Sequence, residues 1–140
     1  MDIGEIIAKE EIRALMARYN HAGDAGQAEE VANTFTSDAE LETIEGKLTG
    51  LEEIRKFYEQ RRAIREEDAR RNRSAKHYLS TQQIVVRSEA EAEATTYFLF
   101  VRLGQVEQMG TYFDQFVKPD SQWLIKHRNV VMNWLESAND

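Results

Sequence analysis

The stretch HYLSTQQIVVRSEAEAEATTYFLFVRLGQVEQMGTYFDQFVKPDSQWLIKHRNVVMNWL (His77–Leu135) decides the fold. Four runs within it are rich in β-branched and aromatic residues: His77–Val86, Ala92–Leu103, Val106–Lys118 and Gln122–Leu135. Short polar turns (RSEAE, GQ and PDS) separate them, which is strand-and-hairpin punctuation. Four long strands at hairpin spacing predict an antiparallel meander.

The residues upstream have a different period. Ile12, Leu15, Met16 and Tyr19 fall at i, i+3, i+4 and i+7, the stripe of an amphipathic helix. AGDAG (Ala22–Gly26) interrupts it with two glycines, and Ala28, Val31, Ala32 and Phe35 restart it as a second short helix ending near Thr36–Asp38. Ala39–Ile44 reads as a short strand and Gly46 as a turn. Thr49 followed by Glu52 has capping-box spacing and opens a third helix, with Leu51, Ile54, Phe57, Tyr58 and Ile64 as its apolar side. Helices first and strands after is the α+β pattern, and a curved sheet wrapped around helices leaves a pocket between them.

Composition sets limits on function. The 140 residues suit one domain, 1–140, with one core and no linker, repeat or low-complexity segment. Without cysteine there is no disulfide scaffold, no thiolate-held metal and no thiol nucleophile. No apolar run reaches membrane-spanning length and Met1–Glu11 lacks a signal-peptide pattern, so a cytoplasmic protein with no membrane partner is expected. A net charge of −7 argues against general nucleic-acid binding. The one basic island is Arg61, Arg62, Arg65, Arg70, Arg71, Arg73 and Lys76. With Glu66, Glu67 and Asp68 beside it, it reads as a solvated helical face.

No Gly-rich phosphate loop, metal-ligand spacing or nucleophile elbow is present, so neither cofactor nor metal is expected. Proton transfer is the chemistry left. Histidine is the natural general base near neutral pH, and only His21, His77 and His127 exist. His77 opens the first long strand beside a polar loop, where a side chain can face a cavity and still exchange protons. A strand histidine also serves simply as a packed side chain. A carboxylate on its other ring nitrogen would orient it, and Asp24, at the end of helix one, is the best placed. Asp24 has a second use, since with Gln27 it has capping-box spacing for helix two; one carboxylate can do both. Arg128 shares a strand face with Leu124, Val130 and Met132 by alternation, so it is expected to meet Asp24, Asp114 or an anion developing on a substrate. Tyr19, Tyr97 and Tyr112 are amphipathic enough to line a pocket, and core packing accounts for them equally well.

Four segments together resemble a known family: Ile12–Thr43, Leu48–Tyr58, Lys76–Val86 and Gly110–Trp134. Their order and spacing look like the SnoaL-like branch of the nuclear-transport-factor-2-like fold. That resemblance implies a cone, with a strongly curved antiparallel sheet wrapped around three N-terminal helices and a deep pocket inside. Within the branch the pattern is nearest to scytalone dehydratases and hexachlorocyclohexane dehydrochlorinases, which pair an aspartate after the first helix with a histidine opening a long strand. Asp24 and His77 occupy those positions, and Arg128 matches an arginine on the last strand of the dehydrochlorinase pattern. Two departures stand out: no second histidine lies in Ala90–Leu103, and AELETI carries no tryptophan.

The resemblance therefore implies a cofactor-independent lyase or isomerase acting on a small apolar, cyclic or aromatic molecule. Asp24, His77 and Arg128 would be its catalytic set; Tyr19, Tyr97, Tyr112 and Met132 are the candidates from the residues themselves for contact with the substrate. The same fold also serves as a binding or assembly module, as in the small subunits of ring-hydroxylating dioxygenases. In that case Asp24 would be a cap and His77 a packed strand residue. Relatives cover the outer sheet face with another subunit, so a homodimer or homotrimer is expected.

Overall fold

A computed structural model describes residues 2–136. Helix α1 (Ile3–Asp24) opens on Asp2, whose side chain accepts the Glu5 N–H at 2.8 Å. It buries the expected stripe of Ile12, Leu15, Met16 and Tyr19. Helix α2 (Ala28–Ala32) is only five residues long, because strand β1 (Phe35–Thr43) begins four residues earlier than the sequence suggests. The Thr34 carbonyl already accepts the Ile125 N–H at 2.8 Å, so sheet pairing claims a segment with helical spacing.

Gly46 begins strand β2 (Gly46–Thr49), which closes a hairpin on β1. Gly50, at φ 87°, then opens helix α3 (Leu51–Glu59). The Thr49–Glu52 capping box is not formed; Glu53 instead accepts the Thr49 N–H at 3.1 Å. The single third helix is in fact two, since the chain turns at Gln60–Arg61 before α4 (Arg62–Arg70). Arg61 Nη1 donates to the Phe57 carbonyl at 2.9 Å and so satisfies an acceptor where α3 ends. The break leaves Ile64 exposed rather than on the buried side.

Strands β3 (Lys76–Val86), β4 (Glu91–Arg102), β5 (Gln105–Val117) and β6 (Leu124–Leu135) form the expected meander. The six-stranded sheet runs β2-β1-β6-β5-β4-β3, antiparallel throughout except where β1 lies parallel to β6. Irregularities at Ser80/Gln82, Phe100/Val101, Met109/Gly110 and Gln115/Phe116 bend and twist the ladder, and the curved, unclosed sheet cups the helices. Ile12, Val31, Leu41, Ile54 and Ile125 are fully buried between the layers. Among the described residues no helix is long and apolar enough to cross a membrane.

Two local features shape the inner face. The irregularity in β6 pairs Ile125 with Phe116 and Arg128 with Asp114, so Ile125, not Leu124, shares the inner face with Arg128. Simple alternation fails there because one extra residue reverses the parity. At Gly110 a Cβ would run into the Phe98 ring and come 2.7 Å from the Val131 carbonyl oxygen. The missing side chain lets Phe98 lie flat against Tyr112, with ring centroids 4.5 Å apart and planes 11° from parallel.

Candidate functional site

Asp24 is the last residue of α1, and the turn after it carries the carboxylate to the start of β3. It does not cap α2: Gln27 holds the N-cap position, without a side-chain hydrogen bond. Both Asp24 oxygens go to one residue instead. Oδ2 accepts the His77 backbone N–H at 3.1 Å and Oδ1 lies 2.7 Å from His77 Nδ1. A carboxylate can only accept, so in the neutral ring the proton sits on Nδ1 and Nε2 is left as the base. The side chains are 17% and 19% exposed, and the imidazole packs on Phe100 at 4.7 Å between centroids.

His77 stands in the wall of a cavity of about 180 Å³ between the sheet and the helices. Phe98, Tyr112, Val130 and Met132 reach it from the inner sheet face, Tyr19 and Asn20 from α1, and Phe57 and Tyr58 from α3. An engineered apolar cavity of roughly 150 Å³ admits benzene, so this one suits a single ring. On the other side of the pair, Asp24 and His77 also border a wider groove with His21 and Asp68.

Three phenols and Asn20 form a polar edge in the cavity. The Tyr19 and Tyr58 hydroxyls hydrogen-bond to each other, and Asn20 Nδ2 donates to the Tyr112 hydroxyl at 3.4 Å. Burial pushes Tyr58 well above the ordinary phenol range, with Tyr19 beside it adding to the effect. Burial pushes Tyr112 up as well. Both are therefore neutral hydroxyls, suited to hydrogen-bond a developing oxyanion and unsuited to act as bases.

Arg128 is elsewhere. It is fully buried, donates from Nε and Nη2 to the two Asp114 oxygens at 2.6 and 2.8 Å, and is absent from the cavity wall. Of the partners expected for it, Asp114 is the one it meets. Its guanidinium carbon lies 4.3 Å from the Tyr19 ring centre and 4.1 Å from that of Tyr112, so its charge backs the phenols. Burial works against both charges of the pair; Asp114 is pushed up, while its carboxylate keeps Arg128 protonated. Tyr97 is also outside the site, 51% exposed on the outer sheet face.

The basic island is not merely a solvated face. Arg61 and Arg65 line the cavity, and Asp68, only 2% exposed, bonds Arg65, Arg73 and Arg102. A signal for this exists in the sequence. Leu51, Ile54, Tyr58, Arg61, Arg65 and Asp68 continue one stripe at alternating steps of three and four residues, so the inward side of the helices turns from apolar to charged. Among the described residues no three His, Asp or Glu side chains converge as metal ligands.

Residues 4–129 match the model of the SnoaL-like domain. The chain belongs to the SnoaL-like family. Among solved structures this SnoaL-like chain is similar to a candidate scytalone dehydratase from Novosphingobium aromaticivorans, with a TM-score of 0.79 and 24% identity over 97% of this chain and 91% of the other. A protein from the same organism, described as NTF2-like with a cystatin-like fold, gives 0.77 and 21% identity over 99% and 94%. A type 2 hexachlorocyclohexane dehydrochlorinase gives 0.70 and 16% identity over 97% and 92%. At these identities the likeness is one of fold. No curated protein matches the chain.

Proposed function

We propose that this SnoaL-like protein is a cofactor-independent lyase or isomerase that moves a proton on a small, largely apolar, cyclic substrate. The observation that carries the reading is the 2.7 Å contact between Asp24 and His77 Nδ1 at the wall of a ring-sized cavity. His77 Nε2 takes a proton from carbon, and Asp24 fixes the tautomer and balances the imidazolium. Tyr58 and Tyr112, which line the same cavity, are neutral hydroxyls for the oxygen or leaving group that gains charge. Positioned proton transfer supplies about 10²–10⁴-fold, and the enclosed polar edge supplies the rest. Arg128 acts here through the phenols it touches rather than on the substrate itself.

The test is a panel of cyclic hydroxyketones, lactones, phenols and halocarbons assayed for turnover, with binding measured in parallel. His77→Ala is expected to abolish turnover while leaving affinity within a few-fold. Binding without turnover across the panel would favour a carrier or assembly module instead.

The outer sheet face supports self-association. Tyr78, Leu99, Met109 and Trp134 lie opposite one another on four successive strands, and Tyr97 and Phe113 extend this apolar row. A second copy of the chain is the occupant we propose for it, in a dimer or trimer.

A further inference from the structure

Two guanidiniums reach the cavity, and they differ in how far they are already satisfied. Arg61 is occupied: it donates to the Phe57 carbonyl, pairs with Glu45 and stacks on the Phe57 ring at 3.4 Å. Arg65 is not. Its one hydrogen bond among the described residues runs from Nη1 to Asp68 Oδ2 at 3.3 Å, at the long end of the range. Asp68 is itself shared with Arg73 at 3.3 Å, and with Arg102, which takes both oxygens at 3.1 Å. Asp68 thus faces three guanidiniums and is engaged most closely by Arg102, which lies outside the cavity and also pairs with Glu107 at 2.7 Å. Of the other carboxylates near the cavity, Asp24 has both oxygens committed to His77 and Glu45, in the cavity wall, pairs with Arg61.

Arg65 is nevertheless only 17% exposed. Its guanidinium lies over the Phe100 ring at 4.6 Å, and the His77 imidazole packs on the same ring at 4.7 Å. Gly26, at φ +74°, makes this position possible: a Cβ there would approach Arg65 Cβ at 3.2 Å and the Arg62 carbonyl oxygen at 3.3 Å. A largely enclosed, under-compensated cation with spare donors, beside the candidate base, is a receptor for an anion. Burial also depresses the Arg65 guanidinium, against the pull of Asp68, and a bound anion would relieve that cost.

We propose that Arg65 is a specificity residue and that the ligand of this cavity is a ring bearing a carboxylate, which Arg65 receives while the ring lies against Phe98 and Tyr112. The proposal rests on the cavity assigned above as the substrate site and narrows its substrate class from a small apolar ring to a ring that also carries an anionic group.

The experiment is calorimetric titration with benzoate and cyclohexanecarboxylate, each against its neutral amide. The wild type is expected to favour acid over amide by at least tenfold. Arg65→Gln should reduce that ratio to near one, and Arg65→Lys should keep part of it, since a point charge replaces a two-pronged donor. Equal affinity for acid and amide in the wild type overturns the proposal, as does an acid preference that survives in Arg65→Gln. Should Arg65→Gln fail to fold, the wild-type ratio and its size in Arg65→Lys decide. His77→Ala should retain the acid preference. A ratio that holds while no compound is turned over would therefore remove the proton-transfer reading and leave this one standing.

Discussion

Asp24 holds His77 at two points, by the ring through Oδ1 at 2.7 Å and by the backbone N–H through Oδ2 at 3.1 Å. The second bond ties the end of α1 to the first residues of β3, so the carboxylate positions the strand and the imidazole together. A packed structural histidine needs neither contact in particular. The expected consequence is a single neutral tautomer with the proton on Nδ1, which ¹⁵N chemical shifts of the His77 ring report directly. Asp24→Asn keeps an acceptor for the backbone bond but offers an amide N–H where Nδ1–H must donate. Fold is expected to survive, while kcat falls by about 10²–10⁴-fold. A wild-type spectrum with the proton on Nε2 would contradict the assigned role.

The buried Asp68 cluster should make stability pH-dependent at its acid end. Burial alone would raise the Asp68 carboxyl, but Arg102, Arg73 and Arg65 together bring it below its ordinary value of 3.8. A carboxyl depressed on folding stabilises the native state above its unfolded pKa, and that contribution disappears as pH falls through the lowered value. Thermal melts are expected to lose stability below about pH 4 in the wild type and less steeply in Asp68→Asn. At pH 7 the variant should be less stable by roughly 3 kcal/mol, the lower end of the range for breaking a buried ion pair, since its three arginine partners keep some solvent.

Periodicity made most of this fold legible. The strand-rich second half and the α1 stripe follow from residue spacing, which burial imposes directly. The segment from Thr34 to Thr43 was less so, because Phe35 fits a helical stripe until β6, some ninety residues later, offers it a ladder. Asp24 and His77 could be named from their positions, yet the choice between cap and partner waited on the fold. Local spacing cannot encode a contact 53 residues away. Leu124 and Tyr97 show two limits of alternation: a single irregularity reverses parity, and an amphipathic side chain suits either sheet face. Arg65 was missed for a third reason. Charge on a helix is read as solvated, and only the continuation of the Leu51–Ile54–Tyr58 stripe indicates otherwise.

The outer apolar row makes oligomer mass a direct measurement. Tyr78, Met109, Phe113 and Trp134 are each about half exposed, and isolated apolar residues of this size do not ordinarily align across four strands. Light scattering of the wild type at micromolar concentration is expected to give a dimer or trimer. Phe113→Lys with Trp134→Glu should shift it to monomer without changing the fold, since both side chains point away from the core. A wild-type monomer at all concentrations tested would leave this face without the proposed occupant.

Arg128 and Asp114 separate a structural from a catalytic charge. Both side chains are wholly removed from solvent and meet through two hydrogen bonds, and Nη1 of Arg128 has no partner among the described residues. Removing one member leaves the other as an uncompensated buried charge. Arg128→Met and Asp114→Leu are therefore each expected to cost about 3–5 kcal/mol in denaturant unfolding. The double variant exchanges the pair for apolar volume and should recover most of that loss, because the desolvation penalty of both ions disappears together. Its activity then isolates the effect of the Arg128 charge on Tyr19 and Tyr112. A folded double variant with kcat lowered severalfold and KM unchanged fits a charge that steadies the phenols from behind. One as inactive as His77→Ala would return Arg128 to direct contact with the reacting atoms, against the geometry that places it outside the cavity wall.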